Sequence, residues 1–166
     1  MEEWINILFK AFWCGCAAVG FGILFNVPRK SLFAIWFGGV IVGLVKYSVL
    51  FFASSSVIVA SFAASLILSV YCLIIANKHQ EPEIIFAIPS VIPLVPGVFA
   101  YRTMLGLIKL SGSIGEDYAL TLNETVHNGT ITLFVIMAFT IGVIIPYQFE
   151  KELRKRTQSK LKASKN

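Results

Sequence analysis

Apolar residues fill this chain in long blocks separated by short polar breaks. A helix needs about 20 predominantly apolar residues to span a bilayer. Five segments meet that length, at about 5–25, 32–52, 54–76, 84–108 and 131–149. The first ends at Asn26-Val27-Pro28-Arg29-Lys30, a polar turn, and the third follows the Ser54-Ser55-Ser56 turn. The pattern predicts an all-α, polytopic helical membrane protein with about five transmembrane helices, residues 1–150 forming one membrane domain. If the second segment were re-entrant, the count would drop to four.

The fourth segment is broken from within by Pro89-Ser90-Val91-Ile92-Pro93-Leu94-Val95-Pro96-Gly97. Each proline lacks a backbone N–H and clashes with the carbonyl four residues earlier. In a helix, Pro89, Pro93 and Pro96 would therefore release the carbonyls of Ile85, Pro89 and Ile92. Lipid cannot satisfy those groups, so the break must be buried in protein or face water. Discontinuous helices at membrane depth are a common way for transporters to build a substrate site.

The fifth segment is expected to start before its apolar core. Ser111-Gly112-Ser113-Ile114-Gly115 reads as a turn, and Glu116 and Asp117 suit a helix N-terminus. Beyond them Thr121, Thr125, Asn128 and Thr132 recur on one helical face. Such a polar stripe faces a pathway, a partner or outside water. Gly39 and Gly43 on the second segment, and Ser61, Ser65 and Ser69 on the third, are small-residue stripes that let helices approach closely in lipid. Packing within the subunit is their expected use.

Composition supports the membrane reading. Only 14% of the 166 residues are charged, and the mean hydropathy is +0.78, far outside the range of a soluble domain. No cleavable signal peptide is expected, because the first apolar run opens on Glu2 and Glu3 rather than on basic residues. Half of the 14 Lys/Arg follow residue 150. Residues 151–166 thus read as a basic cytoplasmic tail, expected to be disordered, that sets topology and meets anionic lipid; no nucleic-acid partner is expected. With five spans the N-terminus then lies outside. Arg29, Lys30 and Lys78 become cytoplasmic, and Glu116, Asp117 and Glu124 face the other side.

Candidate chemistry is sparse. Cys14, Cys16 and Cys72 lack metal-ligand spacing, so no metal or other cofactor is expected, and they read as small apolar residues. His79 and His127 fall at a turn and near a helix end. Asn123 and Asn128 match the glycosylation pattern by chance. No catalytic constellation or phosphate loop appears, so the chain does not read as an enzyme. Charges inside spans are costly and default to functional hypotheses. Lys10 suits snorkelling to the interface. Lys46 fits snorkelling or a pathway equally. Arg102 is the strongest candidate: it follows a break whose new helix start at Gly97 exposes N–H groups and a positive dipole end. Together they suit a carboxylate. The alternative is that Arg102 snorkels or neutralises Glu124.

The stretch Val91-Ile92-Pro93-Leu94-Val95-Pro96-Gly97-Val98-Phe99-Ala100-Tyr101 resembles the Ile-Pro-x-x-Pro-Gly-x-x-Ala-Tyr motif of the threonine/serine exporter family. Phe25-Asn26-Val27-Pro28 resembles the turn after that family's first helix. Length and hydropathy resemble its small, separately encoded subunit, of the succinate-export type. The resemblance runs over about residues 5–150. It implies a bacterial inner-membrane secondary exporter that works with a large-subunit membrane partner of the same family. It also implies carboxylated substrates such as threonine, serine or succinate. It marks Asn26, Pro28 and Pro89 as structural motif residues. The pathway candidates are Pro93, Pro96, Gly97, Tyr101, Arg102, Lys46, Asn128 and Thr125. Of these, Lys46 lies near a basic position in a relative and Asn128 matches an asparagine on a relative's last helix. Arg102 departs from the small or polar residue of other members. The competing reading is an assembly subunit without a substrate site of its own.

Overall fold

The computed structural model describes residues 2–52, 56–112 and 117–163, with residue 117 and residues 153–163 described as backbone only. Of the expected turn at 111–115, Ser111 and Gly112 instead close a helix, and residues 113–115 lie outside the described residues, as do Glu116, Ser54 and Ser55. Six helices account for the rest: α1 (Glu2–Leu24), α2 (Leu32–Phe52), α3 (Val57–His79), α4 (Ile84–Val91), α5 (Gly97–Gly112) and α6 (Asp117–Ala163). Four of them are long and apolar enough to cross a membrane, and α4 with α5, bent by 60°, is long and apolar enough to make a fifth span or a re-entrant loop. The chain is thus an all-helical, multi-pass membrane protein, and α2 is an unbroken helix of spanning length.

The ends of the helices follow local chemistry. Asn26 closes α1 in the left-handed region, φ 56°. Its conformation lets the Val27 N–H reach back to the Gly22 carbonyl at 3.0 Å, the usual closure of a helix C-terminus. Pro28, unable to continue a helix but suited to start one, then opens a single 3₁₀ turn at Arg29–Ser31. Ser56 caps α3 by accepting from the Val59 N–H, and Gln80 ends α3 with φ 54°.

Small residues decide how the helices meet. Van der Waals packing drives helix association in lipid, so close backbone approach matters. The buried stripe of α1 is Ile7, Ala11, Gly15, Ala18 and Gly22, and it meets Gly39 and Gly43 of α2. A Cβ on Gly43 would lie 2.7 Å from the Ala11 Cα, and one on Gly39 2.7 Å from the Cys14 carbonyl. The serine stripe of α3 faces α6: Ser69 donates to the Val143 carbonyl at 2.9 Å, and Gly142 sits against Ser65. Since Ser65 meets Gly142 and Asn77 meets Glu150, α3 and α6 run parallel. Lys30 pairs with Glu81 at 2.7 Å. One end of the bundle therefore gathers Arg29, Lys30, Lys78 and Lys151. We call it the basic end.

α6 is longer than its apolar core suggested. Its 47 residues reach about 70 Å at 1.5 Å per residue. The expected disordered tail from 151 continues the same helix as far as Ala163. The start of α6, with the polar stripe, packs on α5 rather than standing in water. Its second half packs on α3.

Candidate functional site

The break occupies 92–96, between α4 and α5, and turns the chain by 60°. α4 stays in the bundle. The Ser90 hydroxyl donates to the Ile35 carbonyl of α2 at 3.2 Å, and Ser90 packs into the notch at Gly38. Leu94 is fully buried in the main core cluster with Ile35, Val42 and Leu68. Beyond Pro96 the chain leaves that core, and α5 packs on the first half of α6.

Backbone pairing at the break differs from the expectation of three released carbonyls. The Ile92 carbonyl accepts the Val95 N–H at 2.9 Å within a 3₁₀ turn. The tighter three-residue pitch recovers a bond that an α-helix would lose at Pro96. At the start of α5 the Gly97 N–H donates to the Val95 carbonyl, and the Ala100 N–H to that of Pro96. The Gly97 donor is thus already engaged inside the turn. Gly97 itself borders open space, and Pro96 is buried.

A cavity of about 480 Å³ opens between α5 and α6, starting at Phe99, two residues past Gly97. On α5 its wall carries Arg102, Leu105, Gly106 and Lys109, and on α6 Thr121, Glu124, Thr125 and Asn128, with His127 at its edge. Each set follows the i, i+3, i+4, i+7 spacing of one helical face. Gly106 is where the helices touch: a Cβ there would collide with the Thr125 hydroxyl. Gly129 meets Thr103 one turn further along. The Thr125 hydroxyl donates to the Thr121 carbonyl at 2.6 Å, and the Asn128 amide to that of Glu124 at 2.8 Å. With their protons held by their own helix, these side chains offer oxygen acceptors to the cavity. Arg102 and Glu124 face each other across it without closing an ion pair.

Three of the candidate residues, Arg102, Thr125 and Asn128, therefore share one cavity. Pro93, Pro96 and Gly97 form the break beside it. Tyr101 is exposed on another face of α5, outside the cavity lining. Lys46 is half-buried near Cys14 in the α1–α2 seam, apart from this cavity. Lys10, at the same end, places its ammonium 5.1 Å from the centre of the Tyr47 ring. Sequence reasoning passed over Gly106 and Lys109. Their spacing of four and seven from Arg102 was the available signal.

An all-helical bundle with one proline-broken span and a charged, hydroxyl-lined cavity past the break is the architecture of a membrane transport protein. Comparison gives the family. The model of the threonine/serine exporter family, ThrE, matches residues 10–149, and the chain belongs to that family. An uncharacterised protein of Haemophilus influenzae is 24% identical over 142 residues, covering 86% of this chain and 47% of the relative. The chain thus spans about half the length of the curated relative it matches. No solved structure matches it.

Proposed function

We propose that this chain is the small subunit of a two-component secondary exporter for small carboxylated metabolites. It works with a larger membrane subunit of the same family in the bacterial inner membrane, its C-terminus in the cytoplasm. The observation that carries this reading is the cavity past the break, where Arg102 and Glu124 stand opposed but unpaired. A guanidinium takes a carboxylate in a two-pronged, charge-assisted contact. The opposing Glu124 and the oxygens of Thr121 and Thr125 suit an ammonium. An α-amino acid carries both groups on one carbon. Among the family substrates the charge pattern therefore favours threonine or serine over succinate, whose second carboxylate would meet Glu124.

The face of α5 that exposes Val98, Tyr101, Met104, Leu107 and Ile108 supports the partner reading. A patch of that size marks a surface meant for protein or lipid. The assembly reading rests on this same exposed face.

Efflux from cells expressing this chain with its partner tests the proposal. Threonine or serine export that needs both chains, and that falls at least ten-fold in Arg102→Gln with the complex intact, is the expected result. Unchanged efflux in Arg102→Gln would count against the cavity as the substrate site. Loss of the complex in Pro93→Ala/Pro96→Ala/Gly97→Ala would favour the assembly role.

A further inference from the structure

A second, deeper cleft lies at the other end of α6. It has two parts, of about 600 and 380 Å³, which adjoin along Leu73, Pro82, Glu83 and Tyr147. The wider part opens at the basic end beside Asn77, Gln80 and Lys151. The narrower part runs between α3, α4 and α6 to Ser69, Cys72 and Ala87. From Gln80 to Ser69 is 11 residues of α3, about 16 Å at 1.5 Å per residue. That is about half of the roughly 30 Å hydrocarbon core. The cleft is polar at its mouth and ends beside the half-helix that carries Pro89, about that far along α3 from Gln80.

The wall of this cleft contains its own irregularity. Pro146 lies inside α6, so the Gly142 carbonyl has no helical donor. One turn of α6 here is tied to α3 from the side, through the Ser69 hydroxyl on the Val143 carbonyl. Proline inside a membrane helix is where a kink or hinge is found. The outer cavity occupies 121–128 of α6 and the inner cleft 143–151. Between them Val135 is fully buried and Gly142 is pressed on Ser65, while Ile136, Met137 and Ile141 are exposed on the other side.

We propose that this cleft is the other half of the transport path: a water-filled vestibule leading from the basic end to Ser69 and Cys72, with the contacts of α6 at Val135 and Gly142 as the barrier between the two halves. The inference rests on the transport reading above. It adds Ser69, Cys72 and Tyr147 as pathway-lining residues and Pro146 as the point about which α6 would move.

Thiol accessibility in the assembled complex tests it. Cys14, Cys16 and Cys72 are replaced by serine, and Leu73→Cys or Tyr147→Cys is introduced. A charged, membrane-impermeant maleimide is then applied to inside-out and right-side-out vesicles. Phe149→Cys, on an exposed apolar position, is the lipid-facing control. We expect both cleft cysteines to react at least ten-fold faster than the control, from one side only, the side bearing Lys30 and Lys78. Modification of Tyr147→Cys is expected to stop efflux. Reactivity no faster than the control would mean that lipid or the partner fills the cleft, and overturns the vestibule. So would rapid modification that leaves efflux intact. If the unaltered pair exports nothing, the transport reading fails separately, while the side and rate of labelling still decide whether the cleft holds water.

Discussion

The bundle of α1–α4 with the second half of α6, and the arm of α5 with the first half of α6, are built on different rules. In the bundle, small residues are buried in every long helix, and helix faces meet at backbone distance. In the arm, Gly106 is the one buried residue of α5, and across from it Thr125 is buried on α6. Large side chains such as Val98, Met104, Leu120 and Val126 are exposed around that single contact. The bundle meets through several small-residue seams, while its outer faces, with Trp4, Phe33 and Ile74, stay exposed. The arm has one helix pair and one cavity, the arrangement that the proposed role asks of a part holding substrate. The 60° turn at the prolines separates the two.

The sharpest break of this comparison is a substitution where bundle helices meet backbone to backbone. Gly43→Leu would drive a side chain into the Ala11 backbone, 2.7 Å from a Cβ. Backbone cannot yield as a flexible side chain can. Overpacking typically costs about 1–3 kcal/mol, and more where nothing can move, so the largest loss of stability is expected here, read as a fall in melting temperature of the detergent-purified chain. The matching change at Gly97→Ala meets open space and is expected to leave the melting temperature unchanged. Equal effects at both sites would erase the distinction between bundle and break.

In the arm the corresponding probe is Gly106→Val, which collides with Thr125. The expected cost is again about 1–3 kcal/mol, but confined to the α5–α6 pair. Efflux should be lost while the α3–α6 contact persists, seen as retained crosslinking between cysteines placed at Asn77 and Glu150, which already meet. Loss of that crosslink would show that the arm and the bundle fold as one unit.

Arg102→Gln should touch function alone. Arg102 is exposed and pairs with no acid among the described residues, and surface changes away from special features usually stay within about 0.5 kcal/mol. Efflux should fall at least ten-fold with an unchanged melting temperature. A pronounced loss of stability would reassign Arg102 to packing.

Much of the bundle was legible in the sequence because its signals are local. Runs of about 20 apolar residues mark the spans, Asn26-Val27-Pro28 marks the first turn, and the spacing of Gly39 with Gly43 and of the α3 serines marks the seams. The arm was less legible. Proline spacing announced a break, but the direction of the chain past Pro96 depends on where Gly106 finds Thr125, nearly twenty residues away. The same holds for the Ile92 carbonyl, which a 3₁₀ turn recovers. Proline chemistry names the carbonyls at risk; only the turn actually formed decides which remain unpaired. The stripe of Thr121, Thr125 and Asn128 was visible, while its partner face on α5 was hidden because only one small residue, Gly106, carries the contact. Pro146 drew no notice, since α6 continues past it as a helix.

The smallest expected effect concerns the basic end, where Lys30 holds Glu81 at 2.7 Å and so ties the first turn to the turn between α3 and α4. The lysine is 64% exposed and the glutamate 15%. Exposed ion pairs contribute about 0.2–1 kcal/mol, and salt screens them. Lys30→Ala should therefore lower stability by at most about 1 kcal/mol. The covered Glu81 is the costlier partner to strand, since a half-buried charge without its partner loses more than an exposed one. A double-mutant cycle with Lys30→Ala and Glu81→Gln separates the pair from the packing of each side chain. A coupling energy near zero would mean that the bundle's small-residue seams hold this end without help. A coupling near the top of the range, falling at high salt, would make the pair the one place where the bundle, like the arm, relies on charge.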